Sequence, residues 1–325
     1  MFKEASILVT GATGSFGKAF IKRLLSENQI KTIIAFSRDE LKQFEMHNEI
    51  KNSKLRFLLG DVRDYQRLLE VTKGIDFVVH AAAMKQIPAS ELNPAEAIKT
   101  NIIGAENIVN ASIACGVKKL IALSTDKAAN PSNLYGATKL CSDKLMIAGN
   151  SAPGNITTKL SVVRYGNVLG SRGSVIPFFK EQGKLGVIPI TDPNMTRFWL
   201  TIEDAVEFVL KSFERMQGGE IFVPKIPSFK VIDVAKVVAP GIKNEIIGIR
   251  PGEKLHEVMI TEDDSIYTVE FEKYYAILSP SLKHSDYYKK NGKLVELGFR
   301  FTSDNNQDWH TYESFKSTLI ANKLL

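Results

Sequence analysis

Two stretches of the chain hold residue types that can move protons at close quarters: Ser124-Thr125-Asp126-Lys127 and Tyr135-Gly136-Ala137-Thr138-Lys139. A tyrosine and a lysine four positions apart share one face of a helix, which puts the ammonium of Lys139 near the phenol of Tyr135. Phenol is a poor base at neutral pH, short by about three pKa units or about 4 kcal/mol. A neighbouring cation favours the phenolate and makes Tyr135 a usable base for a hydroxyl group. Asp126 and Lys127 supply a further acid and a further amine; the alternative reading is a local ion pair that shapes the loop.

Upstream, Thr10-Gly11-Ala12-Thr13-Gly14-Ser15-Phe16-Gly17 places three glycines at intervals of three, between a strand pattern and a helix pattern. This G-x-x-G-x-x-G run departs from G-x-G-x-x-G but meets the same demand. Its glycines permit a tight turn and close backbone approach, and the helix N-terminus offers free N–H groups to a pyrophosphate. Gly11, Thr13, Gly14, Ser15, Phe16 and Gly17 are therefore the expected pyrophosphate cradle of a dinucleotide. A positively charged nicotinamide ring bound there would add to the bias of Tyr135 toward phenolate. At the end of the next strand the run Phe36-Ser37-Arg38-Asp39, with Lys42 one turn on, has an arginine where NAD sites commonly carry an acid. Guanidinium binds phosphate through paired hydrogen bonds, so Ser37, Arg38 and Lys42 favour NADP over NAD. Asp61 and Val62 follow the third strand, where a carboxylate can accept from the adenine amino group. Ala81, Ala82 and Ala83 are small enough to let the cofactor come close, and Lys85 beside them is a candidate ligand contact.

The elements that must position these groups are legible as alternating short β-branched runs and longer helical patterns. Strands are expected at Ile7–Thr10, Thr32–Ser37, Leu55–Leu59, Phe77–His80, Leu120–Ser124 and Leu160–Arg164. Between the fourth and fifth, Ala97, Ile98, Asn101, Ile102, Ala105, Ile108, Val109 and Ile113 recur at helical spacing and predict one long amphipathic helix. The fold class that follows is α/β: a doubly wound parallel-sheet Rossmann domain, with ligands at the carboxyl ends of the strands, and a smaller mixed α/β substrate-binding region. Beyond Arg164 prolines become frequent and the rhythm shortens, but Thr201 to Met216 again reads as a helix, with Thr201 as N-cap. The expected division assigns residues 1–165 and roughly 191–218 to the NADP-binding domain, and 166–190 and roughly 219–325 to the substrate-binding region.

Composition narrows the class further. The chain has 325 residues, 44% hydrophobic and 24% charged, enough for a well-developed core. Its net charge of +6 is dispersed among acids, with no basic helix face or aromatic stacking pattern, so no nucleic-acid partner is expected. No apolar run is long enough for a bilayer, and no signal-peptide pattern opens the chain, so no membrane partner and a cytoplasmic location are expected. Cys115 and Cys141 read as small buried hydrophobes, His256 as structural, and no cluster has metal-ligand spacing.

Taken together, Gly11/Gly14/Gly17, His80-Ala-Ala-Ala-Met-Lys85-Gln86, Ser124-Thr-Asp-Lys127, Tyr135-x-x-x-Lys139, Arg164-Tyr-Gly-Asn167-Val and Arg250-Pro-Gly-Glu-Lys254 cover most of the chain. In these motifs it resembles the extended short-chain dehydrogenases, and specifically the inverting UDP-N-acetylglucosamine 4,6-dehydratases of bacterial surface-sugar pathways. The resemblance implies a catalytic set of Thr125, Asp126, Lys127, Tyr135 and Lys139. It implies that Tyr135 deprotonates the hydroxyl on sugar carbon 4, that a neutral Lys127 removes the proton on carbon 5, and that Asp126 protonates the departing hydroxyl of carbon 6. Retaining sugar dehydratases usually carry Asp-Glu where this chain has Asp126-Lys127, and 4-epimerases lack the pair. By the same resemblance Lys85, Thr125, Asn167, Arg197, Arg250 and Glu253 would contact UDP-N-acetylglucosamine, the expected product is UDP-2-acetamido-2,6-dideoxy-L-arabino-hexos-4-ulose, and the enzyme is a homo-oligomer. Pseudaminic acid for flagellin glycosylation, or another surface polysaccharide, is the implied destination. The competing readings are a UDP-sugar 4-epimerase, which would release no dehydrated ketone, and a non-catalytic NADP-sensing regulator; Tyr135 and Lys139 count against the regulator.

Overall fold

The computed structural model describes residues 1–27, 29–170, 175–282 and 285–325. Six parallel strands, β1 (Ser6–Thr10), β2 (Thr32–Ser37), β3 (Leu55–Leu59), β4 (Phe77–His80), β5 (Lys119–Thr125) and β6 (Lys159–Tyr165), stand where the β-branched runs predict them, to within a residue at each end. Their order in the sheet is β3-β2-β1-β4-β5-β6, the dinucleotide-binding arrangement with its switch between β1 and β4. Strand β1 is buried throughout, as expected of a parallel strand covered on both faces. The connecting helices are α1 (Ser15–Ser26), α2 (Glu40–Glu49) and α3 (Tyr65–Thr72); α2 and α3 are N-capped by Asp39 and Asp64.

The helix expected from Ala97 to Ile113 is a composite. The short helices α4 (Ile87–Leu92) and α5 (Pro94–Ile98) lead into a π-helical turn at Lys99–Ile103, and α6 (Gly104–Ala114) continues from it. The π turn presents Asn101, which accepts from the Met84 N–H at 2.8 Å and donates to the Met84 carbonyl at 2.9 Å and to the Thr138 hydroxyl at 2.9 Å. Asn101 therefore ties the loop after β4 to α7 (Leu134–Ala148), the helix that holds Tyr135 and Lys139.

The second half departs from the expected division in two places. The chain continues through two small further sheets and back into the first: β7 (Asn167–Val168), α8 (Val175–Lys184), β8 (Val187–Ile190), β9 (Thr196–Leu200), α9 (Ile202–Arg215) and β10 (Glu220–Pro224). Strand β10 pairs in parallel with β6, so the central sheet reaches past residue 218. Its carboxylate, Glu220, is fully buried and accepts from the Ser161 hydroxyl, the Tyr288 phenol and the N–H groups of Gln217 and Gly218, which is why a charged residue stands in a core strand.

Beyond it lie β11 (Ser228–Lys230), α10 (Val231–Val238), β12 (Lys243–Ile246), β13 (Val258–Ile260), β14 (Thr268–Glu270), β15 (Tyr274–Leu278), α11 (Asp286–Asn291), β16 (Lys293–Leu294), β17 (Phe301–Thr302) and α12 (Tyr312–Ala321). Strands β15, β14 and β16 extend the central sheet antiparallel, to ten strands in all. Conversely β9, allotted to the first domain, joins β7 and β11, and its Trp199 belongs to a separate core with Phe229, Phe315, Ile188 and Leu319. Trp199 stacks on Phe229 and Phe315 with ring centroids 4.0 and 4.9 Å away. Helix α9 does pack back on the first domain, where Glu207 pairs with Arg23 of α1, and Thr201 caps it by accepting from the Asp204 N–H at 3.0 Å. Cys141 is exposed on α7 and Cys115 half-buried, so neither fills the core; neighbouring positions of α7 such as Ser142 and Met146 carry its buried face instead.

Candidate active site

A cleft of about 530 Å³ opens at the carboxyl ends of β1 to β6. The glycine turn forms its floor. Gly11 has φ +66°, and a Cβ there would stand 2.7 Å from the backbone of Ala81 and Ala82. A Cβ on Gly17 would meet the Cα of Ala12 at 2.7 Å, so α1 is pressed against the turn. Gly14 is the N-cap of α1 and supplies no side-chain cap, which leaves the first N–H groups of the helix open to an anion. Thr13, Ser15 and Phe16 line the same wall.

Ser37, Arg38 and Lys42 line the cleft beside this turn. Arg38 is 60% exposed, with only a 3.9 Å approach to Asp61, while Lys42 is engaged by the Asp39 carboxylate. Asp61 is paired with Arg63 at 2.7 Å, and burial, which alone would raise its pKa, is outweighed by Arg63, so the carboxyl is held below its ordinary value. Val62 also faces the cleft, packed so closely on α6 that a Cβ on Gly104 would meet it at 2.7 Å. Ala81, Ala82, Ala83 and Lys85 form the edge after β4. Lys85 has its pKa lowered by desolvation.

The catalytic candidates converge at the end of β5. Thr125 donates its hydroxyl to Asp126 at 2.9 Å, and Lys127 donates its ammonium to the same carboxylate oxygen at 3.0 Å. Thr125, Lys127, Tyr135 and Lys139 line the cleft; Asp126 lies behind them, fully buried, with its second oxygen unpartnered. The start of α7 is packed directly on this turn: Asn133 caps the helix through the Gly136 N–H at 2.8 Å, and a Cβ on Gly136 would come within 2.2 Å of the Lys127 carbonyl. Burial raises the Tyr135 phenol to about 12, and the influences that lower it most are the charge of Lys127 and a hydrogen bond to Thr125. Lys139, the cation expected from the spacing, is itself buried and depressed by desolvation, with Asp143 opposing. Asp143 in turn accepts from Ser124 at 2.8 Å and from Arg164 at 3.3 Å.

The expectation of a neutral Lys127 does not describe the unliganded site. Burial would lower its pKa, but Asp126 and Glu257 together hold it well above the ordinary lysine value. Glu257 was not among the sequence candidates. It lies at the end of the Arg250–Lys254 segment, 130 positions from Lys127, and only the folded chain brings its carboxylate to 3.3 Å from that ammonium.

The remaining substrate candidates divide. Asn167 lines the cleft, and its side-chain oxygen is buried without a partner, as is one carboxylate oxygen of Glu253. Arg197 does not line it: its guanidinium donates to the carbonyls of Thr196, Lys254 and Leu255 and approaches Glu257 at 3.5 Å. Arg197 braces the 250–257 segment from below. Arg250 is exposed and 3.8 Å from Glu253. The segment is strapped over the catalytic turn from above, with Lys254 donating to the Ala129 carbonyl at 2.7 Å and Asn133 to the Gly252 carbonyl at 2.8 Å. His256 bonds Thr196, a structural role. Among the described residues no group of His, Cys, Asp and Glu could hold a metal ion, and no helix is long and apolar enough to cross a membrane.

The side-chain oxygen of Asn167 lies in the cleft lining without a donor, and one buried oxygen each on Asp126, Glu253 and Glu257, in the catalytic turn and the 250–257 segment, also lacks one. Such oxygens call for a ligand rich in hydroxyl and N–H groups. The chain matches the model of a family described as polysaccharide biosynthesis protein over residues 7–279. It is 56% identical over 319 residues, 95% of each chain, to a protein of Campylobacter jejuni named UDP-N-acetylglucosamine 4,6-dehydratase (inverting). It is also 43% identical over 317 residues, 94% of this chain and 93% of the relative, to a UDP-glucose 4-epimerase of Rickettsia akari. Among solved structures, Pen from Bacillus thuringiensis superposes with a TM-score of 0.92 at 36% identity, each chain covered in full. The chain thus belongs to the polysaccharide biosynthesis protein family, a branch of the extended short-chain dehydrogenases.

Proposed function

We propose that the protein is an inverting UDP-N-acetylglucosamine 4,6-dehydratase that works with NADP. The observation that carries this reading is the Asp126–Lys127 pair set beside Tyr135 at the mouth of a dinucleotide cleft, in a chain 56% identical to enzymes of that name. Gly11, Gly14 and Gly17 would hold a nicotinamide cofactor, which when bound would supply the hydride acceptor and donor that the sugar chemistry needs. The exposed guanidinium of Arg38 beside Ser37 suits the extra phosphate of NADP.

The residues of the chain supply the proton steps. Tyr135 takes the proton of the carbon-4 hydroxyl as the carbon–hydride bond breaks, which leaves a ketone that acidifies carbon 5. Transfer of one proton from Lys127 to Asp126 along their 3.0 Å hydrogen bond turns the resting ion pair into an amine and a carboxylic acid. The amine then takes the carbon-5 proton, and the acid gives its proton to the carbon-6 hydroxyl, which leaves as water. Carbon 5 regains a proton from solvent on the opposite face as carbon 6 is reduced, and Tyr135 returns the proton it took to solvent, so the net change is loss of one water with inversion. We assign contacts with the UDP-sugar to Lys85 and Asn167, which line the cleft, and to Glu253, one of whose carboxylate oxygens is buried without a partner. We further infer a cytoplasmic homo-oligomer whose product enters surface-glycan synthesis, pseudaminic acid for flagellin being the favoured destination.

A second reading, UDP-sugar 4-epimerase, is favoured by the Rickettsia relatives. Proton NMR of the reaction with UDP-N-acetylglucosamine in deuterated water separates the two. A 6-deoxy-4-keto sugar with deuterium at carbon 5 and the L-arabino configuration is expected; UDP-N-acetylgalactosamine without water loss would replace the dehydratase by the epimerase.

A further inference from the structure

Lys127 has two carboxylate partners, and they come from distant parts of the chain. Asp126 is its own neighbour in sequence, 3.0 Å away; Glu257 is delivered by the second region, 3.3 Å away. Glu257 is 2% exposed and rigidly mounted: its N–H donates to the Ser303 hydroxyl at 2.9 Å, its carbonyl accepts from the Ser303 N–H at 2.8 Å, and that hydroxyl is 2.7 Å from Thr196. One carboxylate oxygen is shared between Lys127 and Arg197, and the other is buried without a partner. A carboxylate so placed is either a fixed electrostatic element or a costly accident.

Resting on the proton roles assigned above, we propose that Glu257 is a positioning residue for the dehydration step, holding Lys127 in line with Asp126 and tying its charge to the 250–257 segment. Lys127 is faced by Asp126 and Tyr135 from the first domain and by Glu257, Arg197 and Lys254 from the second. Glu257 itself stays ionised: burial alone would raise its pKa, but Lys127, Arg197 and Lys254 hold it below the ordinary glutamate value. It is therefore the partner that keeps Lys127 charged until substrate fills the cleft, while Asp126, raised by burial, is the partner that can receive the proton.

The sign of the test follows. Glu257→Gln keeps the shape and removes the anion, so the Lys127 ammonium releases its proton at lower pH. The competent site holds one proton on the Lys127–Asp126 pair, so the acid-side limb of kcat, where the pair takes up a second proton, should move down by one pH unit or more, with KM for UDP-N-acetylglucosamine changed less than threefold. Glu257→Asp, which keeps the charge but draws it back, should shift the same limb by less. Deuterium incorporation at carbon 5 should follow the same profile in each variant, and circular-dichroism melting identifies any variant that fails to fold. If neither variant moves the limb, Glu257 is structural and the inference is wrong. Lys127→Met, run alongside, isolates the underlying reading. Carbon-5 exchange at the wild-type rate in that variant would refute Lys127 as the base, whereas lost exchange with an unmoved limb in both Glu257 variants would sink the Glu257 role alone.

Discussion

Replacing Gly136 by alanine tests whether the catalytic turn and the catalytic helix are positioned by contact. Within a helix the change ordinarily stabilises, by about 1 kcal/mol. Here the new Cβ would stand 2.2 Å from the Lys127 carbonyl oxygen, with the Lys127 carbonyl carbon and a Pro131 side-chain carbon both at 3.1 Å. To restore ordinary contact the turn and the helix must separate by roughly 1 Å. Overpacking of that kind costs about 1–3 kcal/mol, which offsets or exceeds the helical gain. Lys127 lies on one side of the contact and Tyr135, the adjacent residue, on the other, so the separation falls on the distance between base and phenol. A misplacement of about 1 Å between reacting groups is worth about 100-fold in rate. We expect Gly136→Ala to melt at or below the wild-type temperature and to lose about 100-fold in kcat, with cofactor binding retained. Scanning calorimetry and steady-state turnover of UDP-N-acetylglucosamine measure both. Gly183→Ala in α8, outside the cleft, whose Cβ meets only that of Ala239 at 3.0 Å, is the control. A Gly136→Ala enzyme that melts higher than wild type and turns over at the wild-type rate would refute the argument.

Three further outcomes follow from the same geometry. Gly11→Ala, which adds a Cβ 2.7 Å from the Ala81–Ala82 backbone at a φ of +66°, should weaken NADP binding at least tenfold by fluorescence titration; unchanged affinity would contradict the cradle. Arg38→Ala should cost NADP affinity about tenfold or more and leave NAD affinity within about twofold, and equal losses for both would remove Arg38 from the 2′-phosphate site. His80, buried at the end of β4 and 2.9 Å from the Thr10 hydroxyl, has its pKa lowered to about 3, first by desolvation and then by Lys139. Its folded pKa lies below the unfolded value of 6.5, so the unfolded chain binds the extra proton and stability declines as pH falls from about 6.5 toward 3. Urea titrations should show His80→Gln with a shallower loss than wild type between pH 6.5 and 4.5; equal slopes would show that other groups govern acid sensitivity.

Much of the first half was readable because its signals are local. The runs Ile7–Thr10 and Thr32–Ser37 are apolar, β-branched and bounded by turn residues, so strand boundaries agree to a residue. The glycine turn lies between such a strand and a helix, and Tyr135 and Lys139 lie one helical turn apart. Features that depend on distant pairing were hidden. Asn101 sits at correct helical spacing on an apolar face, and its polar side chain there was the one available hint of the π turn. Strand β10 lies beyond the expected boundary near residue 218, and nothing local in Glu220–Pro224 reveals that it pairs with β6 or that Ser161 and Tyr288 will satisfy the glutamate. Arg197 has the chemistry of a diphosphate ligand, but the 250–257 segment takes up most of its donors. Glu257 is one more acid in a mixed stretch until the fold sets it against Lys127.

The stacked trio of Phe229, Trp199 and Phe315 has a practical consequence for watching this protein unfold. The chain contains two tryptophans, Trp199 and Trp309, and Trp309 donates its indole N–H to the Asn306 carbonyl beside β11. Trp199 belongs to the second core and Trp309 is half-buried beside β11, the strand paired with β9, while the glycine turn and strands β1 to β6 contain no tryptophan. Tryptophan fluorescence is accordingly a reporter of the region around β9 and β11 and not of strands β1 to β6. A fluorescence transition that precedes loss of far-ultraviolet ellipticity would resolve the detachment of one half of the active site while the other half is still folded.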